Sequence, residues 1–289
     1  MRLSPVVWIF GIFLLALIGG GWFALASLKT PPPVPSPAPL VQNPVHKVIG
    51  KSVEGRDIEA YTYGTGATHV VFAGGMHGGY EWNSVLLAYQ LMDYLDAHPD
   101  FVPTNVSVSV IPVINPDGLF TIIGKTGRFR LEEVPEGDHS AGRFNANGVD
   151  LNRNFDCKWQ SKSKWRDREV SAGAEPFSEP EAKAVRDFML SKRPSAVVYW
   201  HSKANAVYAS ECEDGVLPVT KDIMNTYARA AGYPAIESFD SYEVTGDTEG
   251  WLASIGIPAI TVEMKTHTTV EWEQNLAGVE AVLRYFAGK

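Results

Sequence analysis

Cysteine is almost missing from this sequence. Only Cys157 and Cys212 occur in 289 residues, and neither belongs to a CxxC pair, so a thiolate metal cluster is excluded. An even count permits one disulfide in an exported domain, and two buried thiols are the alternative. Positive charge is also scarce. Twenty-five Lys and Arg face 33 Asp and Glu, a net charge of −8 at pH 7. That balance lacks the basic face that phosphate binding wants, which excludes nucleic acid as a natural partner. No internal repeat is evident. With 45% hydrophobic and 20% charged residues, the length suits one large domain with a sizeable core.

Charge is absent altogether from the start of the chain. After Arg2 an apolar run extends from Val6 to Ala26, and the next charge is Lys29. Roughly twenty apolar residues suffice to cross a bilayer as a helix. The stretch Ala24-Leu25-Ala26 also fits a signal-peptidase site. Residues 1–29 are therefore expected to be an uncleaved single-pass anchor, with secretion after cleavage at Ala26 as the alternative. Both place the remainder outside the cytoplasm. Residues 30–45 (TPPPVPSPAPLVQNP and Val45) read as an extended proline-rich linker. Residues 46–289 are then the main domain.

Within that domain, strand and helix patterns alternate. Residues 69–73, 106–114, 196–200 and 258–262 are apolar and β-rich. Leu87, Leu91 and Leu95, with Val85, Ala88 and Met92, repeat at helical spacing over 83–97. Further helices are expected at about 178–191, opened by a Ser178-Glu179-Pro180-Glu181 capping box, and at 219–231 and 270–286. Asn115-Pro116-Asp117-Gly118 reads as a turn. The order indicates an α/β domain with a mixed, mostly parallel sheet and helices on both faces. The long irregular segment 121–178 is expected to be functional.

Open α/β sheets collect their chemistry beyond the carboxyl ends of the strands. His77 and Glu81 follow the first of these strands, His201 follows 196–200, and Glu263 ends the last. Arg143, Asn152 and Arg153 lie in the irregular segment. Two histidines and one glutamate make a three-ligand set of the catalytic zinc type, with a position left for water. A carboxylate beside a core, as at Glu263, needs a partner or a task, and a general base near that water would be such a task.

The stretches "GGMHGGYEWN", "PVINPDG", "GRFNANGVDLNRNF", "PFSEPEAKAV", "YWHS", "SYEVTGD" and "GIPAITVEM" carry a resemblance over residues 46–289 to the zinc metallocarboxypeptidases, the carboxypeptidase A and B relatives. The resemblance implies a single twisted mixed sheet and one Zn2+ held by His77, Glu81 and His201, with Glu263 as general base. It also implies Asn152 and Arg153 gripping the substrate's terminal carboxylate, Arg143 opposing the oxyanion, and Tyr242 folding over the terminal residue. The implied partner is a peptide with a free C-terminal carboxylate, processed by a monomer.

This sequence departs from the family pattern in two places. His77 and Glu81 are four apart rather than three, and Tyr80 replaces the arginine common before that glutamate. Glu249 falls at the base of the expected side-chain pocket, with Asp247 close by. Acidic groups there favour a basic terminal residue or the amine of diaminopimelate, whereas a solvent-facing helix N-terminal carboxylate is the alternative. Lys158 to Arg168, with five basic residues, Trp159 and Trp165, could meet an anionic wall polymer or lipid headgroup, or be a solvated loop. Two other functions are weighed: a cell-wall peptide D,L-carboxypeptidase or amidase on the same fold, and a catalytically inactive peptide-binding module.

Overall fold

The computed structural model describes residues 44–289. The expected anchor and nearly all of the expected linker lie outside the described residues. Among the described residues no helix is long and apolar enough to cross a membrane.

In chain order the strands are β1 (Val45–Lys51), β2 (Asp57–Tyr63), β3 (Thr68–Ala73), β4 (Val106–Ile111), the hairpin β5 (Lys162–Trp165) and β6 (Arg168–Ser171), β7 (Ala196–Ser202), β8 (Ala206–Ala209), the short pair β9 (Glu211–Cys212) and β10 (Gly215–Val216), β11 (Ala235–Ile236) and β12 (Ala259–Met264). The helices are α1 (Trp82–Ala97), α2 (Pro116–Ile123), α3 (Pro180–Lys192), α4 (Pro218–Ala231), α5 (Thr248–Ser254) and α6 (Trp272–Ala287). The main sheet has eight strands in the order β1-β2-β4-β3-β7-β12-β8-β11. Its centre, β4-β3-β7-β12, is parallel. Antiparallel pairings join β1 to β2, β2 to β4 and β12 to β8.

Strand side chains alternate between faces, so each central strand feeds two cores. Val70, Phe72, Val198 and Trp200 pack with residues of α1, α4 and α6 on one face. Val71, Ala73, Val197 and Tyr199 pack with α3 and α5 on the other. Phe72 stacks on Trp200 at 5.5 Å between centroids, and both are essentially fully buried. Truncating either to alanine is expected to cost about 3–5 kcal/mol.

Two local expectations change. Asn115-Pro116-Asp117-Gly118 does not simply turn the chain: Asn115 Oδ1 accepts from the Gly118 N–H at 2.8 Å and caps α2, with Pro116 in the first turn. The capping box before α3 does not form. Glu179 is the N-cap without a side-chain cap bond, because its carboxylate receives Asn145 and Asn147 Nδ2, both at 2.7 Å. Glu181 instead accepts from the Val53 N–H. These carboxylates tie the irregular segment and the β1–β2 turn to α3.

Candidate metal centre and active site

His77 and Glu81 sit on the turn between β3 and α1, with Glu81 as the N-cap residue of α1. The turn is a helical one: the Tyr80 and Glu81 amides both donate to His77 O, at 3.0 and 3.4 Å. A four-residue offset therefore still puts both side chains on one side. Gly78 and Gly79 permit it. Gly78 has φ +43°, and a Cβ there would lie 2.7 Å from the Gly118 carbonyl carbon. A Cβ on Gly79 would meet Ile122 at 2.6 Å. The turn is thus pressed against α2 where only glycine fits.

His201 arrives from the end of β7. Its Nδ1 lies 2.9 Å from Glu81 Oε2 and 3.3 Å from His77 Nδ1, while His77 Nδ1 is 2.9 Å from Glu81 Oε1. Donor atoms of the three residues lie within 4.8 Å of one another, and all three side chains are buried. On their far sides the rings meet carboxylates: His77 Nε2 faces Asp150 Oδ1 and His201 Nε2 faces Glu249 Oε1, each at 3.4 Å. Metal-binding imidazoles ordinarily have such a partner, which fixes the ring so that the other nitrogen faces the ion.

The charge state of this cluster tests whether a cation belongs there. Burial opposes ionisation of Glu81, yet His77 and His201 hold its carboxyl well below the usual range. Burial likewise opposes charge on His201, but the Glu81 and Glu249 carboxylates hold it well above an ordinary histidine. Three carboxylates thus converge on two imidazoles, and the raised His201 pKa is the compensation this excess of negative charge calls for. A divalent cation supplies the same compensation with three neutral or anionic donors already in place. The donor set fits zinc.

Glu263 lies on β12 directly opposite His201 in the parallel register with β7. Its Oε2 accepts from the Ala204 N–H at 3.1 Å. Burial and then the Glu81 carboxylate push its pKa up to about 7. Arg143 is buried and donates through Nε and a terminal nitrogen to Asp150 Oδ2, both at 2.8 Å. Its other terminal nitrogen is 3.8 Å from Glu81 Oε1. Asp150, fully buried, joins Arg143 to His77. Burial opposes its charge, but Arg143 holds it well below the usual carboxylate range.

His77, Glu81 and His201 share a cavity of about 880 Å³ with Glu263, Arg143, Asn152, Arg153, Tyr242, Asp247 and Glu249. Every expected site residue therefore reaches it. Asn152 Oδ1 accepts from the Thr248 N–H and Oγ1 at 2.9 and 3.0 Å, which reserves its amide nitrogen as a donor. Arg153 Nε and a terminal nitrogen donate to Lys164 O at 3.1 and 3.0 Å. Tyr242 packs edge-on against Phe239, 4.9 Å between centroids.

The solvent-facing alternative for the acidic pair fails. Glu249 is buried against His201 and accepts from Thr261 Oγ1 at 2.9 Å. Asp247 is the N-cap of α5, accepting from the Gly250 N–H at 2.7 Å. Burial and the neighbouring Glu249 push Asp247 up to about 6. Glu249 thus supports a ligand histidine as well as lining the cavity.

In the basic segment 158–168 the five cations are exposed while the two tryptophans turn inward to different degrees. Trp165 is buried against Tyr80 at 5.1 Å and lies 4.7 Å beneath the Arg143 guanidinium, and Trp159 Nε1 donates to Ala172 O. Trp165 is buried, whereas Trp159 is half-exposed. Cys157 and Cys212 are bonded, which ties the chain just after Arg153 to β9.

Sequence reasoning missed Asp150, and it read Trp165 and Arg166 as part of a basic segment rather than as lining the site. Asp150 had a signal, since two ligand histidines call for two carboxylate partners. The tryptophan and arginine had none, because only the β5–β6 hairpin carries them over the metal site.

The chain is similar to several known proteins. The chain is 26% identical over 242 residues to gamma-D-glutamyl-L-diamino acid endopeptidase 1 of Lysinibacillus sphaericus, covering 76% of this chain and 60% of the relative. It is 32% identical over 139 residues to murein peptide amidase A of Escherichia coli K12, covering 45% and 54%. It thus spans little more than half the length of these relatives. The crystal structure of murein-tripeptide amidase from Escherichia coli O157 superposes with a TM-score of 0.62 at 23% identity, over 83% of this chain and 92% of that one. The zinc carboxypeptidase family matches residues 42–275. With a match of that extent, the chain belongs to the zinc carboxypeptidase family.

Proposed function

We propose that the protein is a zinc-dependent peptidase that hydrolyses the peptide bond preceding a residue with a free carboxylate. The observation that carries this reading is the convergence, in one cavity, of the His77-Glu81-His201 donor set with Glu263 and the Asn152-Arg153 pair. Bound zinc would polarise the scissile carbonyl and lower the pKa of a nearby water. Glu263 takes the proton from the attacking water and passes it to the leaving amine. Arg143, fixed by Asp150, opposes the negative charge that develops on the carbonyl oxygen. Arg153 forks onto the free carboxylate, and the Asn152 amide adds a donor.

A wall-peptide substrate is favoured by one specific observation. Asp247 and Glu249 put two carboxylates on the cavity wall, and the relatives just described are named for a diamino acid and for murein. A diamino acid after the scissile bond would place its second amine against that wall. The apolar run Val6–Ala26 supports export, held at the membrane or released by cleavage after Ala26, which would bring the site to such substrates. The test is a panel of α-linked peptides ending in Lys, Arg or Ala beside γ-D-glutamyl-L-lysine, with and without chelator. Release of only the terminal residue, abolished by chelator and restored by zinc, is expected. Internal cleavage, or turnover indifferent to chelator, would overturn the reading.

A further inference from the structure

The β5–β6 hairpin turns through Arg166 and Asp167, with Arg166 in the left-handed region at φ +58°. Three contacts hold its tip over the cavity. Trp165 is pinned between Tyr80 and Phe144, at 5.1 and 6.2 Å. Lys164 O receives the two bonds from Arg153. Arg166 itself donates to Tyr80 Oη at 3.3 Å and lines the cavity. No carboxylate lies within ion-pair distance of Arg166 among the described residues, whereas Arg143 is held by Asp150 through Nε and one terminal nitrogen.

The cavity therefore has a guanidinium at each of two stations. Arg153 serves the free carboxylate of the leaving residue. Arg166 stands beside Tyr80, whose ring lies 5.8 Å from the Arg143 guanidinium, itself 3.8 Å from ligand Glu81, and so towards the metal side of the site. A substrate whose terminal carboxylate is at Arg153 and whose scissile carbonyl is at the metal must continue towards its N-terminus past this second station. The group met there belongs to the residue that donates the scissile carbonyl.

We propose that Arg166 is a specificity-determining residue that binds a carboxylate on that carbonyl-donating residue. This rests on the peptidase reading above. A γ-linked glutamyl residue fits, because linkage through the side-chain carboxyl leaves its α-carboxylate free, whereas an α-linked residue spends that group in the bond. An arginine fork presents paired N–H donors to a carboxylate, and the Tyr80 hydroxyl beside it can add another.

The test compares N-acetyl-γ-D-glutamyl-L-lysine with the same compound carrying an α-carboxamide. The zinc-loaded wild type is expected to favour the carboxylate by about tenfold in kcat/KM, mostly through KM, the scale of one charge-assisted hydrogen bond at a partly exposed site. Arg166→Ala brings the ratio near one, Arg166→Lys recovers part of it, and Lys203→Ala, at another unpaired cation of the cavity, keeps it. Binding of both compounds to zinc-loaded Glu263→Gln, with and without Arg166→Ala, reads the same preference without turnover. An unchanged ratio in Arg166→Ala, or its collapse in Lys203→Ala instead, overturns the assignment. Binding preference without hydrolysis by wild type would sink the peptidase reading and leave Arg166 in place.

Discussion

Glu263 and His201 stand opposite one another in the register of two neighbouring parallel strands. Parallel pairing puts both side chains on the same sheet face, here the face covered by α3 and α5. A metal ligand and a proton acceptor are thereby fixed side by side by backbone hydrogen bonds rather than by a flexible loop.

Glu263→Gln follows from that pairing. The variant keeps size and the acceptor for the Ala204 amide but cannot take a proton. We expect kcat to fall by about 10³-fold, the scale of general base catalysis. Zinc content by metal analysis should remain at one per chain. A variant that retains turnover would move the base elsewhere.

Asp150→Asn tests the bridge between Arg143 and His77. Zinc affinity should weaken by about 10–100-fold, as when other outer carboxylates of metal sites are removed. Competition with a chromophoric chelator measures this directly. The variant should also unfold at lower temperature, because buried Arg143 loses its counter-charge. Unchanged affinity would show that Asp150 serves only Arg143.

The Cys157–Cys212 bond closes a 55-residue separation. Chain-entropy reasoning gives about 4 kcal/mol for a loop of that length. Cys212→Ser, or reductant added to the wild type, should lower the denaturation midpoint accordingly. Because Cys157 lines the cavity and its carbonyl accepts from the Gly246 N–H at 2.7 Å, KM should rise together with the loss of stability.

His69 predicts an acid-sensitive term. Burial, aided by Lys192, pushes its pKa down to about 4 from 6.5. The unfolded chain then binds more protons between those values, so the contribution of neutral His69 is present above about 6.5 and is lost as pH falls towards 4. Urea midpoints for wild type and His69→Gln should diverge above pH 6.5 and converge on acidification. Parallel curves would place the acid sensitivity on other groups.

Much of the fold was legible in periodicity. The central strands are continuous apolar runs because both of their faces are buried, and the helices carry regular apolar spacing because only one of their faces is. The outer strands of the sheet, β1 and β2 at one margin and β8 and β11 at the other, were not legible. β1 is largely exposed and β11 has two residues, so neither carries a burial pattern. The box at Ser178 misled because Glu179 and Glu181 had partners elsewhere in the chain, and those partners won, whereas the polar group of Asn115 stayed local and its turn became a helix cap.

Residue type and order alone pointed to the proposed ligand set, general base and carboxylate-gripping pair, because such chemistry admits few side chains. Tertiary structure alone decided what surrounds them. Asp150 became the bridge between Arg143 and His77, Glu249 turned from solvent to His201, and the β5–β6 hairpin brought Trp165 and Arg166 over Tyr80. These contacts join residues from 7 positions apart, as Arg143 and Asp150 are, to 86, as Arg166 and Tyr80 are, and no local pattern encodes a meeting that only the packed sheet and its loops create.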